Sequence, residues 1–306
     1  MKKFIKILCV MSIMTIIFSC GKKEVQVGSK TFDTSKTYTI AISQSAEKKT
    51  LDDMRKGLVI GLKNLGLLED VNLTYTYENA KDNMSFAEQI ADAYSKNDAD
   101  VIVTIGEKST VAMSEKIKDR PIVFVGVGNA ERLSYADGNG IPKGNVTGVI
   151  DSHLIEERLK FIQDNYENVK KLGIIYNAND NLAKYDVDYF KFDATAYNID
   201  IYTVSVTKDE DIDKAIDTIL PKVDAIALVT DFMVDNHTAD IVKKVNAAGK
   251  IVFGDTEEHK NAGAIVATSR DYLLVGEKAA ELVKSILVDN KKVNEITIEK
   301  VDFKIN

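Results

Sequence analysis

The feature that most constrains the fold is an alternation of short apolar strands and amphipathic helices, which occurs twice along the chain. Val101–Ile105 is an unbroken run of β-branched residues, and residues 122–125 form a similar run. Such runs are typical of parallel strands that helices cover on both faces. A second series of comparable size begins at Val146. The pattern predicts an α/β protein with two similar lobes, each a parallel sheet covered by helices.

Helix boundaries are indicated by polar residues at the start and glycine at the end. Residues 50–53 and 85–88 each have the spacing of a capping box, which predicts a helix start at each place. Leu51, Met54, Leu58, Leu62 and Leu65 then form one apolar face, and the glycine at position 66 follows. These signals predict a helix over about 51–65.

The first twenty residues indicate export. A basic stretch, residues 1–6, precedes an apolar run, residues 7–18, which is too short to cross a bilayer. Cys20 follows Ser19 in a pattern that resembles the bacterial lipobox. We therefore predict a lipoprotein signal peptide over 1–19, lipidation of Cys20 and a tether over 20–36. The alternative is an ordinary secretory signal with an incidental cysteine.

Cysteine content and charge exclude several classes of protein. Cys9 would leave with the signal peptide, so a mature chain keeps only Cys20 and no disulfide can form within it. The formal net charge is −7, which provides no electrostatic basis for binding nucleic acid. We predict an extracytoplasmic protein attached to the membrane, at the cell surface or in the periplasm, through its lipid alone.

Enzyme signatures are missing from the sequence. There is no Gly-x-Gly-x-x-Gly, no Walker loop and no Gly-x-Ser-x-Gly. His153, His237 and His259 are far apart and lie in polar segments, which favours surface or capping roles over a zinc site. The sequence predicts a protein that is not an enzyme and that has no cofactor and no metal.

Polar residues follow the predicted strands, and in doubly wound sheets ligands bind at the carboxyl ends of strands. Ser109 and Thr110 begin a helix that could hold a ligand carboxylate, and Asp231 could pair with an ammonium group. The alternative for each is a plain helix cap. Phe232 and Tyr185 are candidates for an apolar wall, or for ordinary packing. The predicted ligand-binding residues are Ser43, Gln44, Ser45, Glu107, Ser109, Thr110, Gly128, Asn129, Asn177, Asn181, Asp231, Phe232 and Asp255.

The chain resembles the ABC-transporter substrate-binding proteins that include the tryptophan-, phenylalanine- and tyrosine-binding lipoproteins of bacteria. The matching stretches are 42–44, 51–52, 144–149, 171–177, 223–226, 230–231, 261–264 and 271–276. Two loops depart from the family pattern: Gly106-Glu107-Lys108 stands in place of Ala-Thr-Pro, and Val127-Gly128-Asn129 in place of Thr-Asp-Pro. Both loops belong to the predicted binding edge of lobe 1, so they leave the ligand open.

The resemblance implies a type I periplasmic-binding fold, in which two Rossmann-like lobes with parallel sheets are joined by three crossovers, near Val149, Ala267 and Asn290. Lobe 1 would comprise 37–149 and 268–290, and lobe 2 would comprise 150–267 and 291–306. The implied function is the solute-binding lipoprotein of an ABC importer, whose lobes close on an aromatic or other apolar amino acid. Its partners would be an ABC permease and a cytoplasmic ATPase, with no nucleic acid. A surface sensor or adhesin built on the same fold is the alternative.

Overall fold

A computed structural model describes residues 15–19, 22–27, 30–131, 133–151, 154–229, 231–266, 268–269, 271–301 and 304–305. The chain forms two units. Unit 1 runs to Asp151 and includes Tyr272–Val301, and unit 2 consists of Ser152–Asp271 and Asp302–Asn306. The chain therefore passes between the units three times.

The first part of the chain supplies most of unit 1. Its elements are β1 (Thr15–Ser19), β2 (Lys22–Val27), β3 (Lys30–Asp33), β4 (Tyr38–Gln44), α1 (Lys49–Asn64), β5 (Leu73–Asn79), α2 (Met84–Tyr94), β6 (Val101–Ile105), α3 (Glu107–Lys116), β7 (Ile122–Val127) and β8 (Val146–Ile150).

Unit 2 follows, and the chain then returns to unit 1. The elements of unit 2 are α4 (Ile155–Asn165), β9 (Lys171–Asn177), α5 (Asn181–Asp193), β10 (Asp200–Val206), α6 (Ile212–Ile219), β11 (Ala225–Ala227), α7 (Phe232–Asp235), α8 (Thr238–Ala247), β12 (Ile251–Gly254), α9 (Glu257–Asn261), β13 (Ile265–Val266) and β14 (Thr268–Ser269). The remaining elements are α10 (Tyr272–Leu287) and β15 (Glu299–Lys300) in unit 1, and β16 (Lys304–Ile305) in unit 2. Short 3₁₀ turns lie at Ala194–Tyr197, Asp209–Asp211, Leu220–Lys222 and Val293–Glu295.

Unit 1 is built on a six-stranded parallel sheet in the order β15-β8-β7-β6-β4-β5. Every residue of β6 is buried, as the unbroken β-branched run predicts. Helices α1 and α10 cross at small residues. A Cβ atom at Gly57 would collide with the carbonyl oxygen of Leu273, and one at Gly276 with that of Met54. Glycine at these positions lets the two helix backbones approach closely.

Unit 2 is built on a five-stranded parallel sheet in the order β10-β9-β11-β12-β13. Its core lies on both faces of this sheet, with side chains such as Ile226 and Val252 on one side and Leu172 and Phe190 on the other. Strands β14 and β16 form a separate antiparallel pair. The two parallel sheets confirm the predicted α/β architecture.

The last crossing lies elsewhere than the sequence predicted. It follows Val301 and not the region of Asn290, so residues 291–301 belong to unit 1 and not to lobe 2. The reason is that Glu299 and Lys300 pair with Val149 and Ile150, which extends the sheet of unit 1. The other two crossings, after Asp151 and after Asp271, are close to the positions that the resemblance implied.

The predicted tether contains regular structure. Strands β1, β2 and β3 form an antiparallel sheet, and β1 lies within the predicted signal peptide. The Phe32 ring packs over Gly66, whose φ of +86° and lack of a side chain leave room for it. Phe32, within the predicted tether, therefore contacts the folded body. Cys20 lies outside the described residues. Among the residues that the structure describes, no helix has both the length and the hydropathy needed to cross a bilayer.

Candidate functional site

The polar edge of unit 1 is formed where β4 ends beside the start of α3. Ser43 pairs with Thr104 across the sheet, which brings the end of β4 next to Ser109. The Ser43 and Ser109 hydroxyl oxygens lie 3.0 Å apart, and the Ser109 amide donates to Ser45 Oγ at 3.0 Å. All three predicted serines are therefore brought together, and all three are buried.

Thr110 and Gly106 complete this junction. The Thr110 hydroxyl oxygen lies 2.8 Å from that of Thr104, and it donates to the Gly106 carbonyl at 2.8 Å. Gly106 has a φ of +82°, and a Cβ atom there would lie 2.9 Å from Ser45 Oγ. Ser109 and Thr110 thus bond to protein atoms and connect α3 to the sheet. Their predicted contact with a ligand carboxylate stays a prediction.

Gln44 lies at the centre of a second set of contacts. Its amide nitrogen donates to the Ala46 carbonyl at 2.7 Å and to Asp52 Oδ1 at 2.9 Å. Its side-chain oxygen accepts a hydrogen bond from Arg55 Nε at 3.1 Å, and the Arg55 guanidinium lies 4.6 Å from the ring centre of Tyr77. Gln44 is fully buried and fixes the loop after β4. Arg55 was not predicted; its spacing of three from Asp52 on α1 was the available signal.

Three predicted residues of unit 1 keep partial exposure. Glu107 is the first residue of α3, and Gly128 and Asn129 follow β7. A carboxylate in the first turn of a helix interacts favourably with the helix dipole. The neighbouring Lys108 ammonium pairs with Asp82 Oδ1 at 2.5 Å. Glu107, Gly128 and Asn129 are thus the predicted residues of unit 1 that are not fully buried.

In unit 2, the end of β9 is joined to the start of α7. The Asn177 amide donates to Asp231 Oδ2 at 2.5 Å, and Asn177 Oδ1 accepts a bond from the Asn179 amide at 2.9 Å. Asn181 is exposed at the start of α5, where Asp180 is the N-cap and accepts bonds from the amides of the next turn. Asn177 and Asn181 therefore flank one loop, residues 178–180, and Asn177 is the more buried of the two.

Asp231 is the N-cap of α7. Its Oδ1 accepts hydrogen bonds from the amides of Met233 at 3.0 Å and Val234 at 3.2 Å, and the residue is 1% exposed. Burial raises the pKa of Asp231 to about 6, although the backbone hydrogen bonds from Asn177 and Val234 act to lower it. The capping alternative considered for Asp231 is thus present in the structure. Phe232, the first residue of α7, is partly buried.

Asp255, after β12, belongs to a buried set of ionisable residues that we call the charged cluster: Arg158, Asp235, Asp255 and His259. Arg158 Nη1 lies 3.9 Å from Asp255 Oδ2, and His259 Nδ1 lies 3.2 Å from Asp255 Oδ1. His259 Nε2 lies 3.0 Å from Asp235 Oδ1. Burial alone would lower the pKa of His259, but the hydrogen bonds with Asp235 and Asp255 raise it to about 9.

Of the surface or capping roles predicted for the histidines, a surface position is wrong for His259. Its side chain is 2% exposed, whereas that of His237 is 30% exposed and lies 3.0 Å from Asp209. His153 lies outside the described residues. Arg158 and Asp235 were also not predicted, and only the spacing of four between Asp255 and His259 offered a signal. The described residues contain no group of side chains that could hold a metal ion.

Comparison with known proteins places this arrangement in a family. The family model described as ABC transporter substrate binding protein matches residues 39–305. A tyrosine-binding protein of Clostridioides difficile (strain R20291) is 28% identical over 275 residues, which cover 90% of this chain and 79% of the relative.

Solved structures agree with the fold. A conserved domain protein from Vibrio cholerae superimposes with a TM-score of 0.80 at 30% identity, covering 89% of this chain and 92% of that chain. A Streptococcus pneumonia ABC domain, solved in complex with L-Trp, superimposes with a TM-score of 0.79 at 21% identity over the same shares. The predicted type I periplasmic-binding fold is confirmed. From the match over 39–305 and the two parallel α/β units, the chain belongs to the ABC transporter substrate binding protein family.

Proposed function

We propose that this protein is the extracytoplasmic solute-binding lipoprotein of an ABC importer, and that its ligand is an aromatic or other apolar amino acid. The family match over 39–305 carries the proposal. The 28% identity with a tyrosine-binding protein supports an aromatic ligand. The departures in the loops 106–108 and 127–129 allow for another apolar side chain.

The chemistry of the two polar edges suits an amino acid. Such a ligand needs an acceptor for its ammonium group, donors for its carboxylate and an apolar surface for its side chain. In unit 1 the partly exposed Glu107 and Asn129 offer an acceptor and an amide, and in unit 2 Asn177 and Phe232 offer an amide and an aromatic ring. We assign Asp231 the role of holding α7, because its oxygens already accept three backbone hydrogen bonds. Closure of the lobes on the ligand stays a prediction of the family resemblance.

A direct binding assay tests this proposal. L-Tyrosine, L-phenylalanine, L-tryptophan and the other amino acids would each be added in a thermal unfolding series. A ligand present at 100 times its dissociation constant stabilises the folded state by about 2.7 kcal/mol, which is readily measured. We expect the aromatic amino acids to raise the melting temperature and the charged ones to leave it unchanged. Stabilisation by none of the aromatic or apolar amino acids would reject the ligand.

The anchor can be tested separately from the ligand. We propose that Cys20 carries a lipid and provides the attachment to the membrane. Cys20→Ala should then move the protein from the membrane fraction to the soluble extracytoplasmic fraction, with ligand affinity unchanged. Cys9→Ala is the matched control, because Cys9 would be removed with the signal peptide. An unaltered membrane fraction in the Cys20→Ala strain would show that the lipobox interpretation is wrong.

Transport must be distinguished from sensing or adhesion, since all three share a binding fold and an anchor. The proposed partners of an importer are a permease and a cytoplasmic ATPase, and we propose neither catalysis nor a cofactor. Deleting the gene should abolish uptake of the labelled amino acid that stabilises the protein. Normal uptake in the deletion strain, together with a loss of cell attachment or of a transcriptional response, would favour the sensor or adhesin.

A further inference from the structure

The charged cluster joins four separate elements of unit 2. Arg158 lies on α4, Asp235 ends α7, Asp255 follows β12, and His259 lies on α9. The Arg158 and Asp255 side chains are 3% and 2% exposed, and that of Asp235 is 14% exposed. Burying an ionised side chain is costly unless an opposite charge and hydrogen bonds compensate it. The four side chains therefore form one interdependent set.

The contacts of His259 lead to an expectation for its protonation state. A neutral imidazole has one N–H donor, whereas an imidazolium has two. His259 has a carboxylate oxygen near each ring nitrogen, at 3.0 Å from Asp235 and at 3.2 Å from Asp255. The Asp255 amide is also placed to donate a hydrogen bond to Nδ1 at 3.2 Å, which only an unprotonated Nδ1 could accept. Because a full carboxylate charge outweighs an amide dipole where water is excluded, we assign a proton to Nδ1 as well as to Nε2.

The cluster brings opposite charges together. Two cations, Arg158 and His259, lie among two carboxylates, Asp235 and Asp255. Arg158 Nη2 also donates to the Leu228 carbonyl at 2.6 Å and lies 3.5 Å from that of Phe253. The Arg158 side chain thus connects the ends of β11 and β12 to α4. Removing one member would take a compensating charge away from a buried partner.

The cluster meets the proposed binding edge at α7. This helix is a single turn, and its first residue, Phe232, is a predicted ligand-binding residue. Asp231 fixes the start of the turn through the Met233 and Val234 amides, and Asp235 at its end contacts His259. A helix this short has little stability of its own, so its orientation depends on tertiary contacts, which are these two side-chain contacts and the packing of Val234 in the core of unit 2.

We propose that His259 is a positioning residue: as an imidazolium between Asp235 and Asp255, it holds α7 and the end of β12 in the arrangement that binds the ligand. This inference rests on the proposed ligand-binding function of unit 2. In this inference Asp255 supports the site through its contact with His259, in addition to any contact that Asp255 makes with the ligand.

The test compares His259→Gln with His237→Gln. His237 is the matched control, because it also contacts one aspartate but lies partly exposed at the start of α8. The chain has no tryptophan, so the indole fluorescence of added L-tryptophan reports binding without a background from tryptophan residues of the protein. At pH 7.5, and at a temperature where both variants are folded, His259→Gln should weaken binding about tenfold, and His237→Gln by less than about twofold. Asp235→Asn should weaken it as much as His259→Gln, and the double variant no further, because both remove the same contact.

Two measurements need no ligand. Nitrogen-15 spectra of the three histidine side chains should show His259 protonated on both nitrogens at pH 7.5. Amide hydrogen exchange over Phe232–Asp235 should be about tenfold faster in His259→Gln than in His237→Gln, because α7 opens more often.

The outcomes separate this inference from the proposed function. If the wild type binds no aromatic or apolar amino acid, the proposed ligand is wrong, and the spectra and the exchange rates alone decide the role of His259. A His259→Gln variant that melts at a lower temperature, yet keeps wild-type affinity and wild-type exchange over α7, would overturn the positioning role. A neutral His259 at pH 7.5 would overturn it as well.

Discussion

Asp231 provides a quantitative test of the energetics of unit 2, through the substitution Asp231→Asn. The wild-type carboxyl is buried, and its pKa is raised to about 6 in the folded protein, against about 3.9 in an unfolded chain. The folded state therefore binds a proton more readily than the unfolded state does between these values. The contribution of the protonated Asp231 carboxyl to the stability of the folded protein is fully present below about pH 3.9 and is lost as the pH rises through about 6. An asparagine at this position has no such contribution.

The magnitude follows from the two pKa values. At pH 5 the protonated form of the Asp231 carboxyl outnumbers the ionised form about tenfold in the folded protein. In the unfolded chain the same carboxyl is still mostly ionised at this pH. This corresponds to about 1.4 kcal/mol of stabilisation at pH 5, and to almost none at pH 7.5. When the pH is lowered from 7.5 to 5, the free energy of unfolding of the wild type should thus rise by about 1.4 kcal/mol relative to that of Asp231→Asn.

Urea titrations at pH 7.5 and pH 5 measure this difference, with the twelve tyrosines as the fluorescence reporter. Taking the difference between wild type and variant removes the effect of the other titrating groups. A difference that does not change between the two pH values would refute the argument, because it would mean that burial does not perturb this carboxyl. L-Tryptophan affinity in the same variant gives a second result. We expect a change of less than about twofold if Asp231 only holds α7, because asparagine caps a helix as well as aspartate does. A loss of about 10- to 100-fold would indicate contact with the ligand ammonium group.

Two further substitutions test the packing and the charges. Gly57→Ala places a methyl group against the Leu273 carbonyl, so it should lower the unfolding free energy in a urea titration by about 1–3 kcal/mol or more. The control is Gly138→Ala, which should change the unfolding free energy little because no heavy atom lies within 4 Å of the new carbon. Arg158→Met removes a buried cation from Asp255 and should cost about 3–5 kcal/mol; a stability equal to that of the wild type would show that the cluster contributes no net stabilisation.

The sequence predicted the parts of the fold that depend on local pattern. The β-branched run at Val101–Ile105 is fully buried as expected, because its hydrophobicity is a property of the segment itself. Helix starts were less well predicted: α1 begins at Lys49 and α2 at Met84, with Lys48 and Asn83 as their N-caps, so neither capping box lies where the spacing indicated. The third crossing was misplaced because the pairing of Glu299 with Val149 joins residues 150 positions apart, which no local pattern reveals.

Prediction of the candidate site from the sequence was likewise limited to what local pattern indicates. The serines at 43, 45 and 109 were predicted because each follows a strand or begins a helix, and they do meet. Arg158 was missed because its partners are separated from it by 70 to 97 residues, and a single arginine on α4 resembles any solvent-exposed residue of that helix. His259 was assigned to the surface because its carboxylate partner on α7 becomes visible only in the folded unit.

The most direct test of the central claim is a titration of the protein with L-tryptophan and with L-tyrosine. Because the chain contains no tryptophan, a change in indole fluorescence on mixing arises from bound ligand alone, and calorimetry gives the affinity for tyrosine. We expect saturable binding of one molecule to one protein, with a negative heat-capacity change from the burial of the aromatic ring. If no aromatic or apolar amino acid binds at millimolar concentration, or if a charged solute binds more tightly than any of them, the proposed ligand class is contradicted.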